Sequence, residues 1–232
     1  MSMRQPASAV FVVVPCYNEG AVLRETVSGV LATGVSVVVV DDGSRPPAAE
    51  VCGDLPVHLV RHGVNLGQGA ALQTGMDYAR RAGAEVVIHF DADGQHDPGA
   101  IAEMVALLRS GEVDVVLGSR FLETAHAREV PGGKRWVLRG GILVSWLFSG
   151  LWLTDTHNGL RGFTREAAGR VRMTEDGFGH ATEILGEIRR AGLRYREMPT
   201  LVRYTDYSRA KGQPVSNSLN LLIDLVLRKL IS

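Results

Sequence analysis

An open α/β sheet, mainly parallel and with helices on both faces, is the fold class this sequence predicts. Three observations predict it. From residue 9 to residue 118, apolar β-branched runs alternate with segments of helical spacing. The runs are continuously apolar, as parallel strands covered on both faces are. Three of the runs stop abruptly in polar clusters: Pro15 to Glu19, Asp41 to Ser44 and Asp91 to His96. In sheets of this kind ligands bind beyond the carboxyl ends of the strands.

Each element follows from its residues. Ala9 to Pro15 (AVFVVVP) reads as a buried strand closed by proline. Glu19 to Leu31 carries Val22, Leu23, Val27, Val30 and Leu31 at helical spacing, with Asn18 as its expected N-cap. Ser36 to Val40 is a second buried strand, ended by the turn Asp41-Asp-Gly-Ser44, and Val57 to Val60 a short third. Gln68 to Ala82 reads as helix, Glu85 to Phe90 as a fourth strand, Pro98 to Arg109 as a helix with proline in its first turn, and Val113 to Leu117 as a fifth strand. Beyond these the pattern loosens. Lys134 to Leu153 is apolar with helical character, and Thr154 to Gly159 is a loop. Arg165 to Val171 and Ala181 to Ala191 read as helices, Leu193 to Tyr204 as extended chain, and Val215 to Ile231 as a leucine-rich terminal helix. With no linker and no repeat, residues 1–232 read as one domain: a binding half at about 9–120 and a second half at about 121–232.

Composition narrows the function classes. The chain has 232 residues, 45% of them hydrophobic, enough for a sizeable core and too apolar for a disordered chain. Twenty-five basic residues balance 25 acidic ones, which argues against a broad basic field and hence against nucleic acid as a partner. Cys16 and Cys52 make neither a disulfide framework nor a zinc site. No secretory signal is expected at the N-terminus and no apolar stretch is long enough to be a confident membrane span, so a cytoplasmic protein is expected. Gly140 to Leu153 carries Trp146 and Trp152 and follows Lys134, Arg135 and Arg139. Two readings suit it about equally: a segment at the lipid headgroup boundary on the inner face of the membrane, or a core or dimer helix.

The strand-end clusters carry the chemistry. Asp91 and Asp93, read as extended chain, put two carboxylates on one side just past a strand end. Such a pair suits Mg²⁺ or Mn²⁺, which complete their shells with water and substrate phosphates, and Gln95 or His96 could add or orient a ligand. The bland alternative is a solvated Asp-Gly turn. Asp41 and Asp42 suit a base or ribose, or again a simple turn. Tyr17 suits base stacking. Glu19 suits a base or ribose, or alternatively a helix N-terminus. Gly67-Gln-Gly69 is not a dinucleotide fingerprint, since it does not follow the first strand and position 72 is leucine.

Taken in order, Val12-Val-Val-Pro-Cys-Tyr-Asn-Glu19, Val40-Asp-Asp-Gly-Ser44, Asn65-Leu-Gly67, Asp91-Ala-Asp-Gly-Gln95 and Gly118-Ser-Arg120 resemble the family 2 glycosyltransferases of GT-A fold. Asp155 and Gly159-Leu-Arg161-Gly-Phe163 extend the match to about residues 10–165. Within the family the chain looks most like the polyprenyl-phosphate sugar synthases of the dolichol-phosphate mannose synthase type. The resemblance implies an inverting, metal-dependent transfer from a nucleoside diphosphate sugar, here to a polyprenyl phosphate. It implies a nucleotide pocket of Pro15, Tyr17, Glu19, Asp41, Asp42, Asn65, Gly67 and Ala92. It also implies a Mg²⁺ or Mn²⁺ site at Asp91, Asp93 and Gln95, with Arg120 and Arg135 receiving the acceptor phosphate. Asp155 borders the acceptor side and would be the base if the acceptor were a sugar hydroxyl. Arg209 and Lys211 stand where the synthases carry a basic lid over the diphosphate, but the Ser-Lys of that lid is missing. The other readings are a transferase building cell-surface polysaccharide, a non-catalytic nucleotide-sugar-binding subunit, and a nucleotidyltransferase. The last lacks support because no glycine-rich basic loop follows the first strand. A second copy of the chain is a further candidate partner.

Overall fold

The computed structural model describes residues 9–122, 150–151, 153–156, 158–175 and 179–203. Arg135, Arg209, Lys211, Trp146, Trp152 and the leucine-rich terminal segment lie outside the described residues. Seven strands form one sheet: β1 (Val10–Cys16), β2 (Ser36–Asp41), β3 (His58–Arg61), β4 (Val86–His89), β5 (Val115–Ser119), β6 (Arg161–Thr164) and β7 (Tyr195–Pro199). Their spatial order is β3-β2-β1-β4-β6-β5-β7. β1 pairs in parallel with β2 and β4, β2 with β3, and β5 with β7. β6 alone runs against its neighbours, antiparallel to both β4 and β5. Two reversals restore direction, so β5 and β7 point the same way as β1 to β4. The reversed β6 therefore starts at the edge where the other six strands end.

Helices cover both faces, as the sequence predicts. The valine runs split by the strand period of two. Phe11, Val13, Val38, Val40, Val87 and Phe163 pack on one face against α3 (Gln68–Arg81). The helices α5 (Arg165–Arg170) and α6 (His180–Arg190) complete that layer with Ala167, Ala168, Ile184 and Ile188. Val12, Val14, Val37, Val39, Val86 and Ile88 pack on the other face against α1 (Ala21–Leu31), α2 (Ala48–Cys52) and α4 (Ala100–Arg109). Each fully buried valine of this kind contributes on the order of 1.5–3 kcal/mol by leaving water.

The structure adds α2 and β6, which no local pattern reveals. β6 is four residues, Arg-Gly-Phe-Thr, with too little β-branched content to announce a strand. Pairing on both sides makes it one. Asn18 does not cap α1. The helix starts after Gly20, and the Asn18 side-chain oxygen accepts instead from the Arg45 amide at 2.8 Å, tying the end of β1 to the loop after β2. The Glu183 carboxylate, in the first turn of α6, accepts from the Thr174 and Glu175 amides.

Candidate active site

The three polar clusters meet at the carboxyl edge of the sheet, and the tertiary structure fixes what each one does there. Register places Cys16 beside Asp41, and Asp41 beside Arg61, so the first two clusters are adjacent. Asp41 is buried. Its oxygens accept from the Ser44 amide at 2.8 Å and the Ala48 amide at 3.0 Å, which shapes the turn and starts α2. Burial would raise its pKa, but these bonds and Arg61 hold it below the usual carboxylate value. Asp42 is buried too. It accepts from the amides of Leu66 at 2.9 Å and Gly67 at 2.7 Å, and pairs with His62 at 2.7 Å. The Asn65 side chain donates to the Asp42 carbonyl at 3.4 Å. Asp41 and Asp42 thus fold the two loops that flank the end of β1. Pro15 is buried within β1, Tyr17 is 45% exposed just past it, and Glu19 lines a cleft of about 90 Å³ with Asn18, Ser44, Arg45 and Pro46.

The third cluster departs from the extended geometry expected of it. β4 stops at His89, and Asp91 to Gly94 form a turn with Gly94 at φ 73°. The turn is held by the Gln95 amide donating to Asp93 at 3.0 Å, and Ala92 is buried behind it, its carbonyl accepting from Thr26. The two carboxylates nevertheless remain neighbours. Burial and the charge of Asp91 push Asp93 up to about 6, against its bond from Gln95. Asp91 is held by Gln68 at the start of α3, 3.1 Å away, and by His96 at 3.3 Å. Burial would raise Asp91, but the His96 hydrogen bond and nearby positive charge keep it low. Its side chain keeps 28% exposure.

The fourth part of the site comes from the reversed strand. Residues 158–160 lead into β6 and so arrive at the same edge, as do residues 154–156 before them. An added Cβ on Gly159 would lie 1.9 Å from an Asp91 oxygen, so this loop packs its backbone directly against Asp91. At the loop's other end, Asp155 grips Arg120 after β5. Its carboxylate accepts from Nε at 2.6 Å, from Nη2 at 2.7 Å and from the Arg120 amide at 3.1 Å. The side chains are 13% and 1% exposed. Arg120 and Asp155, separate in the sequence reading, form one bidentate pair. Arg161, at the head of β6, is buried beneath them and donates to the carbonyls of Asn158 and Thr156. Burial pulls its pKa down to about 10, and the charges of Asp91 and Asp155 work against that fall. His89 lies opposite Arg161 in register; burial, with the Arg161 charge, pulls it down to about 3, so it is neutral.

Glycine at position 159 is a steric requirement. Gly159→Ala should push the Asp91 carboxylate out of place. On the cation-binding role that the sequence leads us to expect of Asp91, the variant should show a weaker Mn²⁺ response and at least a tenfold fall in activity, with the fold retained. Mn²⁺ titration and thermal melting check it, and full activity in the variant would show that Asp91 has room to move.

Residues 11–172 match the description "Glycosyl transferase family 2". The chain belongs to this family. The glycosyltransferase matches a protein of Methanocaldococcus jannaschii at 33% identity, over 95% of this chain and 92% of the relative. It matches the UDP-N-acetylglucosamine–dolichyl-phosphate N-acetylglucosaminyltransferase of Methanococcus voltae at 26% identity, over 95% and 96% of the two chains. It also matches the polyprenol monophosphomannose synthase of Mycolicibacterium smegmatis at 27%, over 73% and 67%. Among solved structures, glucosyl-3-phosphoglycerate synthase from Mycobacterium tuberculosis, in complex with Mn²⁺, UDP and glucosyl-3-phosphoglycerate, superposes with a TM-score of 0.70 at 18% identity. That superposition covers 96% of this chain and 78% of the other, and it bears out the GT-A fold. Among the described residues no helix is long and apolar enough to cross a membrane.

Residues that no motif announced also make bonds to this edge of the sheet. Gln68, His62 and Glu197 act across 20 or more residues of sequence, and each looks ordinary in its own segment. Arg161 stood inside a quoted motif, but its burial needed the antiparallel β6.

Proposed function

We propose that this glycosyltransferase moves a sugar from a nucleoside diphosphate sugar to a polyprenyl phosphate, with residues 1–232 acting as one unit at the inner membrane surface. One observation carries the reading. Arg120, oriented by Asp155, stands at the same edge as the Asp91/Asp93 pair, and a single loop touches both. A site for an anionic acceptor thus faces a site for an anionic leaving group. The names of the Methanococcus and Mycolicibacterium relatives support the same acceptor class.

The nucleoside would sit over Pro15, Tyr17 and Glu19, on the loops that Asp41 and Asp42 fold, with Asn65, Gly67 and Ala92 bordering it. A divalent cation fits the chain's donor set. Among the described residues no three His, Cys, Asp or Glu side chains cluster as a complete site. Two hard carboxylates do adjoin, however, and burial, with the charge of the neighbouring Asp91, pushes Asp93 up to about 6. Asp91 and Asp93, with Gln95, would hold Mg²⁺ or Mn²⁺, leaving most of the shell to water and diphosphate. When bound, the cation neutralises charge that develops on the departing diphosphate. The chain's own part is positional. Gln68, His96 and Gly159 fix Asp91, and Asp155 aims Arg120 so that the acceptor phosphate meets the anomeric carbon opposite the leaving group. A phosphate monoester is already ionised near neutral pH and needs no base. This suits a site whose candidate base, Asp155, is buried against an arginine.

Product analysis tests the reading. A short-chain polyprenyl phosphate and a panel of sugar hydroxyls are offered with Mn²⁺ and the nucleotide sugar that best raises the melting temperature. Sugar should appear on the lipid phosphate. Glycosylation of a hydroxyl with none on the lipid phosphate would overturn the acceptor and leave the donor half standing.

A further inference from the structure

We infer that Glu197 is a positioning residue for the acceptor side, acting through the loop that carries Asp155. Glu197 lies on β7 opposite Leu117, three strands from β4 and 42 residues from Asp155 in sequence. Its carboxylate accepts from the Thr154 amide at 2.9 and 3.0 Å, from the Thr154 hydroxyl at 2.8 Å and from the Asp155 amide at 3.2 Å. The same hydroxyl meets Ser119 at 2.6 Å, one residue before Arg120. The two residues that present the Asp155 carboxylate are therefore held by one half-buried anion, and the arginine's own strand end is tied into the same knot.

This arrangement has a chemical logic. Amides donating to an ionised carboxylate make bonds roughly twice as strong as neutral ones. Burial raises the pKa of Glu197, and the Thr154 bonds resist that rise, so the anion and the loop hold each other. Asp155 then meets Arg120 along its Nε/Nη2 edge, which sets the plane of the guanidinium. An arginine free to rotate would bind an acceptor phosphate in many directions, few of them in line with the anomeric carbon. Glu197 touches neither the nucleotide loops nor the Asp91 turn in the bonds described, so its influence should fall on the acceptor side.

The inference rests on the acceptor reading of Arg120, and the experiment separates the two. Glu197→Gln keeps the shape and removes the charge; Thr154→Val removes the hydroxyl's bonds to Glu197 and Ser119, leaves the amide bonds in place, and is the gentler variant. In each, donor KM with Mn²⁺ should stay within twofold, while KM for short-chain polyprenyl phosphate rises about tenfold in Glu197→Gln and less in Thr154→Val. The double variant should lose less than the sum of the two single losses, because the two residues share the Thr154–Glu197 contact. Amide hydrogen exchange at residues 154–156, measured without any substrate, should be faster in Glu197→Gln. Unchanged exchange, or a loss of donor and acceptor affinity together with a fall in melting temperature, would overturn the role. Arg120→Lys in the same assay isolates the underlying reading. If it leaves acceptor KM unmoved, that reading fails. Faster exchange together with a lowered kcat in Glu197→Gln would then still support positioning of the pair, and an unchanged kcat would overturn it.

Discussion

Asp93→Asn should reduce sugar transfer by about a thousandfold or more, a rate loss equivalent to about 4 kcal/mol of transition-state stabilisation. The fold should survive and the metal-free protein should become more stable. The reason lies in the pKa. Burial, then the charge of Asp91, push Asp93 up to about 6. An acid whose folded pKa is raised binds its proton more tightly in the native state. Stability is therefore full below the unfolded value near 4, declines as pH rises towards 6, and stays reduced above it. At pH 7.5 without metal, the charged Asp93 costs on the order of 1–3 kcal/mol, which asparagine removes. Thermal melting in EDTA at pH 7.5 should thus place Asp93→Asn above the parent, and the gap should close when the pH is lowered to 4. Mn²⁺ should raise the parent and not the variant. A variant that transfers at the parent's rate, or an activity indifferent to EDTA, would remove the metal from this site.

Arg120→Ala should lower transfer about a hundredfold or more, and it should also destabilise the protein. The second effect follows from Asp155, whose side chain is 1% exposed and whose carboxylate spends both oxygens on Arg120. Removing one partner of a buried pair generally costs about 3–5 kcal/mol; here the charge of Arg161 still acts on Asp155, so a loss at or below the lower end of that range is expected. Activity lost in Arg120→Ala alone is therefore ambiguous. Arg120→Lys resolves it. Lysine restores charge beside Asp155 but not the two-point fork, so stability should recover most of the way while transfer recovers only partly. Donor binding with Mn²⁺, read by calorimetry, should stay within a few-fold of the parent in both variants. Full transfer in Arg120→Lys would mean that the fork is not needed. A parallel loss of donor affinity would move Arg120 to the donor side.

The sheet, its two-faced burial and the edge where its polar clusters gather were legible in residue order. Continuous valine runs can be satisfied only by cover on both sides, and polar residues that stop such runs must gather where the strands end. For that reason Pro15 to Glu19, Asp41 to Ser44 and Asp91 to His96 could be read as gathered on one edge from local pattern alone. The tertiary structure decided which of those residues face outward. Asp41, Asp42 and Asp93 look alike in sequence. Two are buried against backbone amides that a turn happens to aim at them, and the third is crowded by a neighbouring carboxylate. Only the fold could also deliver β6, because four residues with little strand character become a strand when β4 and β5 pair with them from either side. From that reversed strand follow the approach of Gly159 to Asp91, the burial of Arg161 and the clasp of Asp155 on Arg120. These are contacts between residues tens of positions apart, set by packing and by the need to satisfy buried charge, and no periodicity along a chain records them.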